Sequence, residues 1–397
     1  MRVTLVTETY FPQVNGVSRT LNQLVRHLGE AGDQVQLIHP DYGAPAEPGG
    51  AHPVRSIVLP FYKELHLPLP PFGGVHRAID AFRPDLVHIA TEAMLGLSVL
   101  RHASRRGYPV VSSFHTNFDQ YSAHYRVDWA GGTIRRYLRW FHNRTRETYV
   151  PSRTTIAELG ARGFERLVLW PRGVDGQLFR PDRPGRETVR RALGFGPDDV
   201  VIGYVSRIAA EKNVGYLTEA LAQVAAVRPD VRLLFAGDGP ARAEVERRMG
   251  RHARFVGYRS GEDLADHYAA ADLFAFTSRT ETFGNVILEA MASGLPVVAL
   301  RAGGVADIVR PGVTGVLIEP DAPPAQFARA VMRLTDDADD RRRTSESARA
   351  YALSQTWGAI MGSLRQRYRA IVAATAPLDT TPAPTRSVNA QFRIFND

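Results

Sequence analysis

The chain has 397 residues, 44% hydrophobic and 23% charged, which is enough for two ordinary domains with full cores and too apolar for a disordered protein. It has no cysteine, which excludes disulfides and thiolate metal sites. Its net charge of +8 points to anionic partners (nucleic acid, an anionic membrane or anionic substrates), and all but two of its 49 basic residues, Lys63 and Lys212, are arginines. No apolar run approaches the roughly 18 residues of a membrane helix. The start, Met1 to Glu8, has too short an apolar core for a signal peptide. The expectation is a soluble, cytoplasmic protein.

Val3–Val6 reads as a short buried strand. Val17, Leu21, Leu24, Val25 and Leu28 then recur at helical spacing, Gly29 and Gly32 end that helix, and Val35–Ile38 is the next strand. Between strand and helix lies Glu8-Thr-Tyr10-Phe-Pro-Gln-Val-Asn15-Gly16-Val17. A glycine opening a helix directly after a strand lets backbone approach a phosphate closely; a plain strand–helix turn is the competing reading. Leu86–Ile89 and Val110–Ser113 are further strands. The loop Ser113-Phe-His115-Thr-Asn117-Phe-Asp119-Gln-Tyr121 gathers His, Asn, Asp and Tyr, types that read sugar hydroxyls or move a proton. A hydrogen-bonded structural loop is the alternative.

Residues 132–147 form a basic, aromatic helical pattern. Ile134, Leu138, Phe141 and Thr145 fall on one side, with five arginines and Trp140 around them. This reads as a helix lying on an anionic membrane surface; a nucleic-acid face and an ordinary packed helix with solvated arginines compete with it. Trp170 to Pro181 is turn-rich and reads as a link. After it, strands are predicted at Val200–Val205, Val231–Ala236, Arg254–Val256, Leu273–Phe276, Val297–Leu300 and Gly315–Ile318, with helical patterns between them. Strand and helix in alternation predict an α/β fold of two doubly wound parallel sheets, and the ligand site belongs beyond the strands' carboxyl ends, in the cleft between them.

In the second half, Arg207 and Lys212 leave the end of a strand as two cations able to neutralise a diphosphate; a solvated loop is the alternative. Gly237-Asp-Gly239-Pro lacks the third glycine of a dinucleotide fingerprint and reads as a turn. Thr277 to Glu289 carries Glu281 and Glu289 around a Phe283-Gly284 step, followed by the apolar helical run Val286–Ala292. Backbone N–H groups near Gly284 can face phosphate, Glu281 can accept from sugar hydroxyls, and Glu289 from a ribose diol. A capped surface helix with two solvated glutamates competes. Asp336-Asp-Ala-Asp-Asp340 reads as a solvated capping run rather than a metal site. Thr356–Ala373 is a final helix, and Ala374 onward a flexible Pro/Thr-rich tail.

These pieces, in this order, resemble the retaining two-Rossmann (GT-B) glycosyltransferases of family 4, over residues 1 to about 370. Within the family, Glu8 to Val17, Phe114 to Tyr121 and Trp170-Pro-Arg172-Gly-Val-Asp look most like bacterial GDP-mannose-dependent α-mannosyltransferases that act on glycolipids; plant-like sulfoquinovosyl transferases share parts of these motifs. Arg172 stands where many relatives have Asn. The resemblance implies an acceptor-binding domain at 1–170, completed by the helix at 356–373, and a donor-binding domain at 182–355. It implies catalysis by His115, Arg207, Lys212 and Glu281, with the donor also held by Gly16, Val17, Arg172, Val256, Gly257, Phe283, Gly284, Asn285, Val286 and Glu289. The acceptor would face Tyr10, Asn15, Asn117, Asp119 and Tyr121. The implied reaction needs a nucleotide-sugar but no metal or cofactor, uses a lipid or glycolipid acceptor, and occurs on the inner face of the cell membrane without nucleic acid. A UDP-sugar donor, a nucleotide-sugar epimerase on the same frame, and a non-enzymatic basic binding protein are the alternatives.

Overall fold

A computed structural model describes residues 1–13, 15–43, 51–59, 62–115 and 131–375. Among the described residues, nine strands lie in the first 169 positions: β1 (Arg2–Val6), β2 (Gln34–Pro40), β3 (Ala51–Val54), β4 (Ser56–Leu59), β5 (Tyr62–Pro68), β6 (Leu86–Ile89), β7 (Val110–Ser113), β8 (Thr148–Val150) and β9 (Leu167–Leu169). All but β4 and β5 form one parallel sheet in the order β3-β2-β1-β6-β7-β8-β9, while β4 and β5 make a separate antiparallel hairpin. The second sheet, also parallel, runs β12-β11-β10-β13-β14-β15, from β10 (Val200–Val205), β11 (Val231–Ala236), β12 (Ala253–Gly257), β13 (Leu273–Phe276), β14 (Val297–Leu300) and β15 (Gly315–Ile318). Helices cover both faces of such sheets, which is why these strands are apolar without alternation: every residue of β6, β7, β13 and β14 is buried.

In each sheet the chain winds outward from a central pair, β1 beside β6 and β10 beside β13. There the strand order reverses and the loops part, leaving a crevice at the carboxyl ends. The sequence reading did not include β3, β8, β9 or the hairpin. They are edge or near-edge strands of three or four residues, or strands with exposed apolar residues such as Ile57 and Val58, so they carry little periodicity to read.

The basic helix departs from expectation in two ways. It spans Gly131–His142 and ends before Thr145, because Arg144 and Thr145 turn back onto Phe141 and His142 and Arg146 already joins Val110 of the sheet. Its apolar side is also occupied: Leu138 and Phe141 are buried in the core of the first unit. Arg135, Arg136, Arg139, Arg144 and Arg146 remain outward. No helix among the described residues is long and apolar enough to cross a membrane.

The aspartate run behaves as a cap. Asp337 starts the helix Ala338–Ser354 by accepting from Asp340 N, and Asp340 pairs with Arg333 and Arg343. The last helix is Trp357–Thr375. Ala374 and Thr375 remain helical, which corrects the predicted start of the tail; nothing breaks a helix before Pro377. The rest of the tail, including Ser387 to Asp397, lies outside the described residues. This last helix packs on the helix Gly16–Glu30, and its Met361, Leu364 and Tyr368 share a core with Val3, Leu5, Leu21 and Leu24. Arg365 and Arg367 bind Asp33 and Glu147 of the first unit at 2.5 and 2.6 Å.

The chain crosses between the units at the link and again at the start of this helix, and the two crossings touch. Val174 N donates to Gln355 O at 2.9 Å. A Cβ on Gly173 would lie 2.5 Å from Trp357 N, against backbone that cannot step aside. Gly173→Ala should therefore cost about 1–3 kcal/mol of stability, read as a lower denaturant midpoint; a wild-type midpoint would refute the crossing constraint.

Candidate active site

The carboxyl ends of the second sheet assemble most of the predicted donor residues. Beyond β10, a short turn at Ala210–Lys212 is closed by Asn213 in the left-handed region (φ 55°) and leads into the helix Val214–Val227. Thr277, past β13, clamps this turn by donating to the carbonyls of Lys212 and Asn213. The clamp sets Lys212 against Glu281, Nζ to Oε1 at 2.5 Å, with both side chains about four-fifths buried. Lys212 is thus matched by Glu281, and the exposed Arg207 by Glu211 at 3.4 Å.

Two glycines let the Glu281 loop lie flat on its neighbour. A Cβ on Gly303 would sit 2.2 Å from Glu281 O, and one on Gly304 would sit 2.5 Å from Thr282 O and Phe283 Cα. Gly284 (φ 98°) then starts the helix Asn285–Ala292 with no side-chain cap, so first-turn N–H groups have no capping acceptor. Phe283 is buried beneath this turn and Val286 half-buried. Buried polar atoms without partners cluster on the same loops: Asn213 Nδ2, Ser278 Oγ and Asn285 Oδ1. Orphans of this kind are costly and rare in native folds.

Glu289 is not solvated. Tyr268 donates to its Oε2 at 3.0 Å, Arg19 Nη1 stands 4.0 Å from its Oε1, and burial raises its pKa. Arg19 belongs to the helix of the first unit that Gly16 opens, so this contact spans the cleft. A second contact across it has Asp307 accepting from Thr154 N at 3.0 Å. Val256 and Gly257 end β12, where Gly237 N donates to Gly257 O at 2.8 Å.

On the first unit, the Gly16 region divides its labour. Asn15 accepts from Val17 N and Ser18 N, with Ser18 returning to Asn15 N, a complete capping box. Tyr10 is 2% exposed and donates to Asn22. Both residues hold the turn together, and Asn15 is exposed. No heavy atom lies within 4 Å of a Cβ built on Gly16, so its outer side is open. Asn117, Asp119 and Tyr121 lie outside the described residues.

His115 is brought to the link rather than left on an open loop. Its Nδ1 lies 3.0 Å from Arg172 Nη2 and its Nε2 2.8 Å from Ser113 Oγ; burial, then the Arg172 charge, holds its pKa well below the usual value. Arg172 is itself buried, donates to Trp170 O, lies over the Trp170 ring, and is pulled down to about 9 by desolvation.

The sequence reading missed two buried carboxylates at the β1/β6 crevice. Glu8 accepts from Leu95 N at 2.7 Å and Gly96 N at 3.3 Å, and burial lifts it to about 7. Glu92, with Oε1 unpartnered, is lifted to about 8 by burial and by Glu8. Their spacing carries no motif; only the pairing of β1 with β6 brings them together.

Residues 14–178 match the family described as Glycosyltransferase Family 4, and residues 199–337 match Glycosyl transferases group 1. A GDP-mannose-dependent alpha-mannosyltransferase from Mycobacterium tuberculosis is 35% identical over 94% of this chain and 97% of its own. A sulfoquinovosyl transferase from Arabidopsis thaliana is 32% identical over 94% of this chain and 74% of its own. Among solved structures, sucrose-phosphate synthase from Thermosynechococcus elongatus shares the fold at a TM-score of 0.75 and 24% identity, covering 94% of this chain and 99% of its own.

The buried carboxylates set a pH dependence. Between pH 4.5 and about 8 the unfolded Glu92 loses its proton while the folded one keeps it. The folded state then binds more protons, and stability falls as pH rises through that window. Glu92→Gln should flatten the fall and leave the variant more stable than wild type near its top; identical slopes in denaturation at several pH values would refute this.

Proposed function

Because this chain belongs to the family 4 glycosyltransferases, we propose that it transfers mannose from GDP-mannose to a lipid or glycolipid acceptor with retention of configuration. Membership sets aside the epimerase and the non-enzymatic binding readings. The observation that carries the site assignment is the Lys212–Glu281 pair, held beside the uncapped start of the Asn285–Ala292 helix and next to three orphaned polar atoms. Ammonium, open N–H groups and unpaired hydroxyl and amide together match the chemistry of a sugar diphosphate.

On this reading Glu281 accepts from the hydroxyls of the transferred sugar, and Lys212 turns to the diphosphate when donor enters. Arg207, the amides of Phe283, Gly284, Asn285 and Val286, and the open side of Gly16 and Val17 complete the anion site. Glu289, held by Tyr268, binds the ribose. Val256 and Gly257 line the base. His115 and Arg172 border the sugar from the first unit. In the reaction the bond from the anomeric carbon to the β-phosphate oxygen breaks as the acceptor oxygen attacks on the same face. The acceptor's proton passes to the departing phosphate. The leaving group's charge is the main electrostatic demand, and prepositioned cations and amides meet it without reorganising.

The relative that depends on GDP-mannose supports the donor; glycolipid acceptance rests on the outward arginines at 135, 136, 139, 144 and 146, a sequence-independent attraction to anionic headgroups. With Leu138 and Phe141 committed to the core, the contact is electrostatic rather than insertive. A UDP-sugar donor is the second reading, favoured by the 32% identity to the sulfoquinovosyl transferase.

Incubating purified protein with GDP-mannose or with UDP-sugars and a bacterial lipid extract decides between them. Lipid-linked mannose is the expected product; a lipid-linked sugar from a UDP donor alone would overturn the donor assignment. Lys212→Ala and Glu281→Ala should each lower turnover at least about tenfold, measured with saturating acceptor. Wild-type turnover in both would refute the site.

A further inference from the structure

A thread of buried polar side chains runs from His115 to the C-terminal helix. Arginine has no acceptor, so in its contact with Arg172 at 3.0 Å the His115 Nδ1 must be the acceptor, and the ring proton sits on Nε2. That Nε2–H donates to Ser113 Oγ at 2.8 Å. Ser113 Oγ lies 2.9 Å from His88 Nε2, and His88 Nδ1 lies 2.6 Å from the Tyr368 hydroxyl. His88 and Tyr368 are 0% exposed, Ser113 1% and His115 8%. The thread thus joins β6, β7, the link and the last helix. Strand pairing and the link bring positions 88, 113, 115 and 172 together, and Tyr368 joins them only because that helix crosses back. Polar groups buried to this degree are tolerated when bonded, and apolar side chains fill such space at less risk. The neighbouring Tyr149 shows the contrast: its ring packs on Tyr368 and Trp170, but its hydroxyl takes no part in the thread.

We infer that Tyr368 is a positioning residue for glycosyl transfer, acting through His88 and Ser113 to fix the orientation and tautomer of the His115 ring beside the transferred sugar. This rests on the assignment of His115 to that sugar. With both ring nitrogens engaged inside the protein, His115 shapes the sugar site instead of carrying a proton, in keeping with a reaction whose proton leaves on phosphate. The last helix is then part of the catalytic apparatus, although none of its residues touches substrate.

Three variants in the full chain test this. Tyr368→Phe removes only the hydroxyl, Ser113→Ala breaks the thread without altering the helix, and Tyr149→Phe removes a buried hydroxyl outside it. The first two should lower kcat about tenfold, the scale of a small misplacement, while KM for GDP-mannose, GDP affinity by calorimetry and the unfolding midpoint stay near wild type; Tyr149→Phe should match wild type. Histidine side-chain nitrogen NMR, with His115 assigned by its loss in His115→Ala, should show the Nε2-protonated tautomer in wild type and a displaced signal in Tyr368→Phe. Wild-type kcat in Tyr368→Phe and Ser113→Ala, an equal loss in Tyr149→Phe, or a weakened GDP affinity in place of a kcat effect would each overturn the proposal. If His115→Ala is impaired in those cases, the sugar-site assignment survives; wild-type turnover in His115→Ala removes both.

Discussion

Parallel pairing is the constraint from which the rest of this molecule follows. Parallel strands cannot be joined by tight turns, so each pair requires a crossover, and the crossovers cover both faces of each sheet. What remains open is the edge where strands end and loops begin. Lys212 follows β10, Gly257 ends β12, the Glu281 loop follows β13, His115 follows β7 and Glu8 follows β1. Chemistry sits there because it is the one place where polar side chains and unpaired backbone can face a ligand without breaking a sheet.

Much of this was legible in the chain. Long apolar strands bounded by glycine and proline, such as Val200–Val205 and Val231–Ala236, stand out because both faces of each are buried. The Glu281–Glu289 stretch was readable because a strand, a glycine turn and a helix fall within a short window. What escaped was set by distance along the chain. Tyr268 holds Glu289 from another helix, Arg19 reaches it from the other unit, and Glu8 meets Glu92 through strand pairing. None of these carries a local pattern. Tyr10 and Asn15 are the opposite case: their local pattern is strong, and it is the pattern of a helix start. The basic helix shows the same limit. Its periodicity fixed which side was apolar, and only the packed core showed that this side was taken.

Charge is distributed by the same economy. An arginine-rich chain has planar forks to spare, and it uses them as structural donors: Arg190, buried, binds Asp272 and three carbonyls at once. Arg172 is buried without a carboxylate in its hydrogen bonds, and its charge instead suppresses protonation of His115. The compact ammonium of Lys212 sits against Glu281, and on the proposed function it swings between that carboxylate and the diphosphate, which a rigid fork does less readily.

The return of the last helix to the first unit also sets an order of assembly during synthesis. Domains ordinarily close as they leave the ribosome, the earlier one first. Here the core around Val3, Leu5 and Leu24 lacks Met361, Leu364 and Tyr368 until nearly the entire polypeptide has emerged. The second unit, whose own cluster draws on a continuous stretch from Val174 to Ala352, can close before that. The nascent first unit therefore waits with an uncovered apolar groove, and a chain released before residue 357 has one finished domain and one suited to chaperone capture.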